Sequence, residues 1–186
     1  MEKKNLQNDT MESFVMLWSN RKFTTLQENV YTHIMKHIFS DMTKNVDIWN
    51  EDISKMCKTL QFTPNNSPFI TLVADDFTKS GSEFFIKSLK EMMKNLITVK
   101  NGNQTVAVFP IFSLIKKQEN SNKVECHFHN LAIRYLLYFG NGAGMYSFDV
   151  AVSLGSARFS RLYKIISANL NNKNKGCFEV TMEGFL

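Results

Sequence analysis

Residues 80–117 change from a helical to a β-strand period around one Asn-Gly dipeptide, and this change constrains the fold more than any other feature. LITVK and QTVAVFPIFSLIKK are rich in β-branched and aromatic residues, and NGN separates them, which is a strong β-hairpin signal. The sequence therefore predicts a helix from Ser80 to Asn95 followed directly by a hairpin, the order of recognition helix and wing in a winged helix. The apolar residues predicted to face the core from this helix are Phe85, Leu89, Met92, Met93 and Leu96.

The other side of the predicted helix carries lysines. Lys87, Lys90 and Lys94 lie within about a sixth of a turn of one another, because steps of three and four residues stack on one helix face. Residues 79–123 contain eight lysines and three glutamates, whereas the remaining chain has fourteen basic and fourteen acidic residues. The whole net charge of +5 therefore lies in this segment. Such an excess indicates a polyanionic partner, and a solvated lysine-rich face is the alternative explanation.

Periodicity elsewhere in the 186 residues predicts a single mixed α+β domain. Thr25 and Glu28 form a capping box at the start of a helix in TTLQENVYTHIMKHIFSDM, whose predicted inward residues run from Leu26 to Met42. The sequence also permits a helix over residues 46–61 and predicts a short one in LAIRYLLYF. The predicted strands are residues 11–19, FITLVADD, KVECHFHN, MYSFDVAVSL and CFEVTM.

The stretch LGSARFSRLYKII predicts another amphipathic helix, with Ser156 as its cap. Arg158, Arg161 and Lys164 then lie on the flank of this helix, where they could hold phosphates or pair with carboxylates at a domain or subunit boundary. The stripe predicted to face the core consists of Phe159, Leu162, Tyr163, Ile166 and Leu170.

A metal-dependent nicking enzyme of the H-U-H type is one alternative class. His127 and His129 are separated by one residue on a predicted strand, which puts both imidazoles on one face, as in H-U-H nucleases. Tyr135, Tyr138 and Tyr163 could supply a nucleophile in principle. However, Glu125 is the only further metal ligand nearby in sequence, and strand alternation alone explains the outward direction of both histidines. We therefore predict no metal site.

Other signals of catalysis or export are absent from the sequence. Cys57, Cys126 and Cys177 are odd in number and widely spaced, which favours buried reduced thiols over disulfides or zinc ligands. GNGAG lacks the Lys-Ser/Thr of a phosphate-binding loop. The N-terminal ten residues are polar, and no apolar run reaches the roughly 18 residues that a membrane span needs. We expect a cytoplasmic protein without cofactor, metal or enzymatic activity.

Four stretches of the chain, in order, resemble segments of one known family. FTTLQENVYTHIMKHI resembles an early helix of the family, and ITLVADDFTKSGSEFFIKSLKEMMKNLITV its strand, helix and wing. VAVFPIFSLIKK through KVECHFHNLAIRYLL resembles the following strand pair and segment, and GCFEVTMEGFL a later strand and helix start. Leu154, Ser156, Arg161, Leu162 and Tyr163 match the signature L.S....RLY. The family is that of the theta-type, iteron-binding plasmid replication initiators of bacteria.

The resemblance implies an α+β winged-helix domain: a helix-turn-helix followed by a β-hairpin wing, with mixed helices and a small antiparallel sheet. In the family, this domain dimerises when the initiator represses its own gene, and it contacts one side of an iteron when the monomer binds the origin. Arg161 and Tyr163, in the RLY motif, are expected to hold the fold together. The residues expected to contact DNA are Lys79, Ser82, Lys87, Lys90, Lys94, Lys100, Asn101, Asn103 and Arg158.

The same resemblance sets the expected domain boundaries and partners. We expect residues 1–10 to form a disordered tail. Residues 11–186 are expected to form the N-terminal domain of an initiator, because family members continue into a second winged helix where this chain stops. The expected partners are double-stranded DNA at origin iterons or an operator, a second copy of the chain, and host replication proteins, with no membrane. A module that only dimerises is the remaining alternative.

Overall fold

The computed structural model describes residues 9–13, 16, 19, 21–40, 60–65, 67–101, 103–137 and 143–170, and the predicted mixed α+β fold is confirmed there. No described helix is both long enough and apolar enough to cross a membrane. The helices are α1 (Thr25–Ser40), α2 (Ser82–Lys94), α3 (Asn130–Leu136), α4 (Phe148–Ser153) and α5 (Ala157–Leu170). The strands are β1 (Asp9–Ser13), β2 (Gln61–Phe62), β3 (Pro68–Val73), β4 (Ile97–Asn101), β5 (Gln104–Phe109), β6 (Phe112–Lys117), β7 (Lys123–Phe128) and β8 (Ala143–Ser147).

All strand pairs in the described part of the chain are antiparallel. The central sheet has the order β2-β3-β7-β6, while β4 pairs with β5 and β1 pairs with β8. Ile70, Cys126 and Ile115 lie side by side across the central sheet, on the face that packs into the core. Strand β1 includes Asp9 and Thr10, which the sequence assigned to the tail.

Helices α1 and α2 contribute the predicted apolar faces to the core. Val30 and Ile34 of α1 are fully buried, as are Phe85 and Met92 of α2. Leu96 is the exception, because it lies beyond the end of α2 and is 54% exposed, whereas the next residue begins β4. The inward prediction for Leu96 was wrong because the helical period stops before it.

The start of α1 differs by one residue from the predicted capping box. The Thr24 hydroxyl accepts from the Gln27 backbone N–H at 3.3 Å, and the Gln27 side-chain oxygen accepts from the Thr24 N–H at 3.0 Å. The capping box is therefore formed by Thr24 and Gln27 rather than Thr25 and Glu28. Glu28 turns inward instead.

A buried charge cluster joins α1 to α5. Glu28 and Lys164 are 2% and 0% exposed, and the Lys164 Nζ lies 2.6 Å from both Glu28 Oε1 and the Thr32 hydroxyl. Arg21 adds a second cation, 3.4 Å from the same carboxylate oxygen, and its guanidinium lies over the Tyr31 ring. Burial raises the pKa of Glu28, but the two cations outweigh burial and lower the pKa to about 2.

This cluster reverses the predicted orientation of α5. The residues that α5 buries are Ser160, Lys164, Ile165 and Ala168, and Arg161 donates hydrogen bonds to the carbonyls of Arg21 and Ser19. In the apolar stripe predicted as core, Phe159 and Leu170 are 62% and 70% exposed, whereas Leu162, Tyr163 and Ile166 are half-buried. The prediction was wrong because hydrophobic periodicity cannot recognise a buried lysine whose partner lies 136 residues away.

Other segment predictions changed only in part. The strand predicted over residues 11–19 ends at Ser13, and Met16 is helical. The helix that the sequence permits over residues 46–61 does not include Gln61, which belongs to β2. MYSFDVAVSL is a strand as far as Ser147 and then continues as α4, whose Phe148 and Ala151 are buried. FITLVADD is a strand as far as Val73 and ends in a 3₁₀ turn, Ala74–Asp76. The predictions for residues 46–59, Met42, Cys57, Tyr138, residues 140–142, Cys177 and the strand CFEVTM lie outside the described residues.

We expect Glu28→Gln to destabilise the fold by about 3–5 kcal/mol at pH 7, because the substitution leaves buried Lys164 without its carboxylate. The folded pKa of Glu28 is below its ordinary 4.5, so the ion-pair contribution is complete above about pH 4.5 and is lost as the pH falls towards 2. The difference in unfolding free energy between the unmodified protein and Glu28→Gln should therefore shrink as the pH falls from 4.5 towards 2. Urea unfolding at several pH values would measure this difference.

Two variants control for this prediction. Glu91→Gln removes an exposed ion pair of α2 and should cost no more than about 1 kcal/mol. The double variant Glu28→Leu with Lys164→Met should lose less stability than Glu28→Gln, because Lys164 is no longer a buried ammonium without a carboxylate. Its recovery should be partial, because buried Arg21 still lacks its carboxylate. Equal stabilities for Glu28→Gln and Glu91→Gln would contradict the assignment.

Candidate nucleic-acid interface

The predicted lysine stripe lies on the solvent side of α2. Lys87, Lys90 and Lys94 are all exposed, and the opposite face of the helix packs into the core through Phe85 and Leu89. The three ammonium groups therefore project from one rigid helix face, as the sequence predicted.

Two carboxylates lie among or beside these lysines. Lys94 pairs with Glu91 at 2.7 Å, three residues earlier on the same helix. Glu83 lies on the lysine face by helical geometry and accepts a 2.7 Å hydrogen bond from Lys117 of β6, which holds the pKa of Glu83 below its usual range. Lys87 and Lys90 have no ion pair within the described part of the chain.

The hairpin predicted from the Asn-Gly pair is confirmed. Strand β4 pairs with β5 from Ile97 opposite Phe109 to Asn101 opposite Gln104, with a bulge between Val99 and Lys100. Ile97, Val99 and Phe109 are buried, which anchors the hairpin to the domain. Lys100 and Asn103 are exposed near the tip. The hairpin thus has the position of a wing, directly after α2 in the chain.

The remaining predicted DNA contacts divide into two groups. Lys79 and Ser82 lie at the N-terminal end of α2, where Gly81 adopts φ 85° and ψ 168° as the chain enters the helix. Arg158 lies on α5, which packs chiefly against β8, α1 and α4. The predicted contacts therefore lie on α2 and on the hairpin that follows it in the chain, with Arg158 on another element.

Two exposed lysines next to α2 are not among the predicted DNA contacts. Lys116 and Lys117 end β6, which packs beside α2, and Lys117 contacts Glu83. Both lie in the lysine-rich segment, so local charge could have identified them. Their position beside α2 depends on the pairing of β6 with β7 and could not be obtained from sequence spacing.

His127 lies in β7 and His129 follows the end of this strand, and the two side chains have different surroundings. His127 is 8% exposed and stacks on Phe69 at 4.9 Å, so its predicted outward, solvated position was wrong. His129 accepts the backbone N–H of Leu131 at 3.3 Å and caps α3. Among the described residues, no group of three histidine, cysteine or acidic side chains could hold a metal ion.

Comparison with known proteins shows a likeness of fold to a solved structure. No family model and no curated protein matches the chain. The crystal structure of Pi initiator protein in complex with iteron DNA is similar over 88% of this chain, with a TM-score of 0.53 and 12% sequence identity. This chain spans 65% of the length of that protein chain. At this identity the likeness is one of fold, and it agrees with the winged-helix fold predicted from the sequence.

We expect Gly81→Ala to destabilise the protein by about 1–3 kcal/mol, because φ 85° with ψ 168° is a conformation that is essentially restricted to glycine. A Cβ at this position would meet no heavy atom within 4 Å, so backbone strain alone should account for the loss. Urea unfolding would measure it, with Ser82→Ala as a neighbouring control that should change stability by less than about 0.5 kcal/mol. If Gly81→Ala were as stable as the unmodified protein, Gly81 would not have this backbone conformation before α2.

Proposed function

We propose that this chain is a double-stranded DNA-binding module of a theta-type replication initiator, which recognises repeated sequences at a plasmid origin. The observation that carries the proposal is the exposed lysine face of α2, followed directly in the chain by the β4–β5 hairpin. A helix of this kind fits the major groove, while a basic wing follows the phosphate backbone. The fold likeness to an initiator whose structure contains iteron DNA supports the same function.

The proposed role is binding rather than catalysis. Lys87, Lys90, Lys94 and Lys100 would contact phosphates and fix the register of the domain on the duplex, which accounts for affinity. Ser82, Asn101 and Asn103 would add polar contacts at the start of α2 and in the wing. We further propose that the protein acts in the cytoplasm, dimerises when it represses its own gene, and contacts host replication proteins at the origin.

We expect the affinity for a 30-base-pair duplex to fall steeply with salt, with a log–log slope of about −0.9 per phosphate contact. Replacing Lys87, Lys90 and Lys94 with glutamine should flatten this slope by about two to three units, because each lysine no longer displaces a condensed cation. Fluorescence anisotropy between 50 and 200 mM salt would measure the slope.

Single-charge variants provide the matched control. Lys90→Gln and Arg158→Gln remove one positive charge each from exposed helical positions, one on α2 and one on α5. Lys90→Gln should flatten the slope by about one unit. Arg158→Gln should leave it nearly unchanged, because the proposed contact surface, unlike the sequence prediction, does not include Arg158 of α5. Identical slopes for the unmodified protein and the triple variant would reject the α2 face as the DNA site.

Sequence recognition needs a separate measurement. Duplexes selected from a random library by the protein should converge on one motif, and that motif should recur as direct repeats near the coding sequence. Selection that yields no motif would reject origin recognition, even if salt-dependent binding is observed.

We expect Glu83→Gln to increase duplex affinity by roughly threefold at 50 mM salt, since it removes a negative charge from the lysine face and releases Lys117. The gain should shrink at 200 mM salt, where the Debye length is shorter. Glu119→Gln removes the same charge from a position outside α2, in the turn between β6 and β7, and should have a smaller effect. An equal gain from both variants would show that net charge, rather than the α2 face, governs binding.

A further inference from the structure

Helix α5 presents apolar side chains to solvent and charged side chains to the core. Phe159 and Leu170 are 62% and 70% exposed, and Ile166 lies half-buried between them on the same face. At 100° per residue, these three side chains lie within about 40° of one another. An apolar stripe of this length on a helix is typical of a surface that another helix covers.

The stripe cannot be buried by rotating α5 within its own domain. Lys164 and Arg161, on the opposite face, hold α5 to Glu28 and to the backbone at Ser19 and Arg21. Tyr163, at the edge of the stripe, accepts the Ser147 backbone N–H at 3.1 Å and ties α5 to β8. Rotation would break these contacts and leave buried charges without partners. The contacts of α5 with the rest of the domain therefore fix the outward direction of the stripe.

The spacing of the stripe makes it complementary to a copy of itself. Phe159, Tyr163, Ile166 and Leu170 follow the steps of four, three and four residues that characterise the seam of paired helices. If two α5 helices run antiparallel about a two-fold axis between residues 164 and 165, Phe159 faces Leu170 of the partner subunit. In the same register, Tyr163 faces Ile166 of the partner subunit. A two-fold interface requires this reciprocity.

The charges on α5 favour the same antiparallel arrangement. The helix contains no aspartate or glutamate, and Arg158 is exposed in its first turn. An antiparallel copy brings Arg158 towards the C-terminal, negative end of the partner helix, whereas a parallel copy brings the two Arg158 side chains together. An apolar stripe also offers no phosphate contacts, which argues against nucleic acid as its occupant.

We propose that the outward face of α5 is the site at which two copies of this chain associate, with the two helices antiparallel. The proposal deepens the dimerisation part of the proposed function by assigning its surface. The lysine face of α2 lies on a different element, so dimerisation and DNA contact use side chains of different chemistry.

The test is sedimentation velocity of residues 1–186 between 1 and 100 μM without DNA. The unmodified chain should show a concentration-dependent dimer. Phe159→Glu and Leu170→Glu should each weaken it at least tenfold, and the two together should give a monomer, because the glutamates would then face each other. The pair Phe159→Glu with Leu170→Lys should restore the dimer, since antiparallel packing places opposite charges together twice. Circular dichroism should show unchanged folding, because both positions are exposed.

Val108→Glu on the β5 strand is the matched control, because Val108 is also a large apolar side chain and is 50% exposed. It should leave the dimer intact. Loss of the dimer in Val108→Glu but not in Phe159→Glu would assign the interface to the wing and overturn the proposal. A chain that stays monomeric at 100 μM, or a charge-swapped pair that fails to restore the dimer, would also overturn it. DNA affinity of the same variants is measured separately, so failure of the DNA-binding proposal would remain distinguishable.

Discussion

The ion pair between Glu28 and Lys164 decides how the last described helix meets the rest of the domain. Both groups are almost completely buried, and the Lys164 nitrogen lies 2.6 Å from the Glu28 carboxylate oxygen. Each group therefore compensates the buried charge of the other. Arg21 and the Thr32 hydroxyl complete the cluster, so the carboxylate and the ammonium each have more than one partner. Because removing Glu28 would leave two buried cations without a carboxylate, this cluster fixes the rotation of α5 and therefore the outward direction of its apolar stripe.

Helix α1 connects this cluster to the basic surface. Gln27 precedes Glu28, and its side-chain amide donates a 2.8 Å hydrogen bond to the Ser88 carbonyl of α2 while its oxygen caps α1. The neighbouring residues Gln27 and Glu28 thus attach α2 and α5, respectively, to α1. Apolar burial of α2 through Phe85 and Leu89 then leaves its lysines on the opposite, solvated face. The position of the candidate DNA-binding surface follows from core packing, and the lysines themselves contribute charge rather than stability.

The two candidate surfaces differ in chemistry in a way that fits two different partners. The face of α2 carries lysines, which attract a polyanion, and nearby carboxylates, which reduce this attraction. Added salt should weaken it further, because salt screens exposed charges. The face of α5 is apolar, so its association should depend little on salt and strongly on shape. A DNA-binding module that also pairs with its own copy would need both kinds of surface.

The sequence by itself determined the elements whose signals are local. Periodicity and the Asn-Gly turn sufficed for α1, α2 and the β4–β5 hairpin, and helix geometry sufficed to place Lys87, Lys90 and Lys94 together. Tertiary structure alone decided the orientation of α5, the shift of the capping box to Thr24 and Gln27, and the burial of His127. In α5, Lys164 found its carboxylate 136 residues away, and such a partner offsets the cost of burial. His127 is buried by stacking on Phe69 of β3, and the capping box shifted because Glu28 turns inward to Lys164. Residue spacing records which side chains share a face, but only the folded chain decides which face is buried.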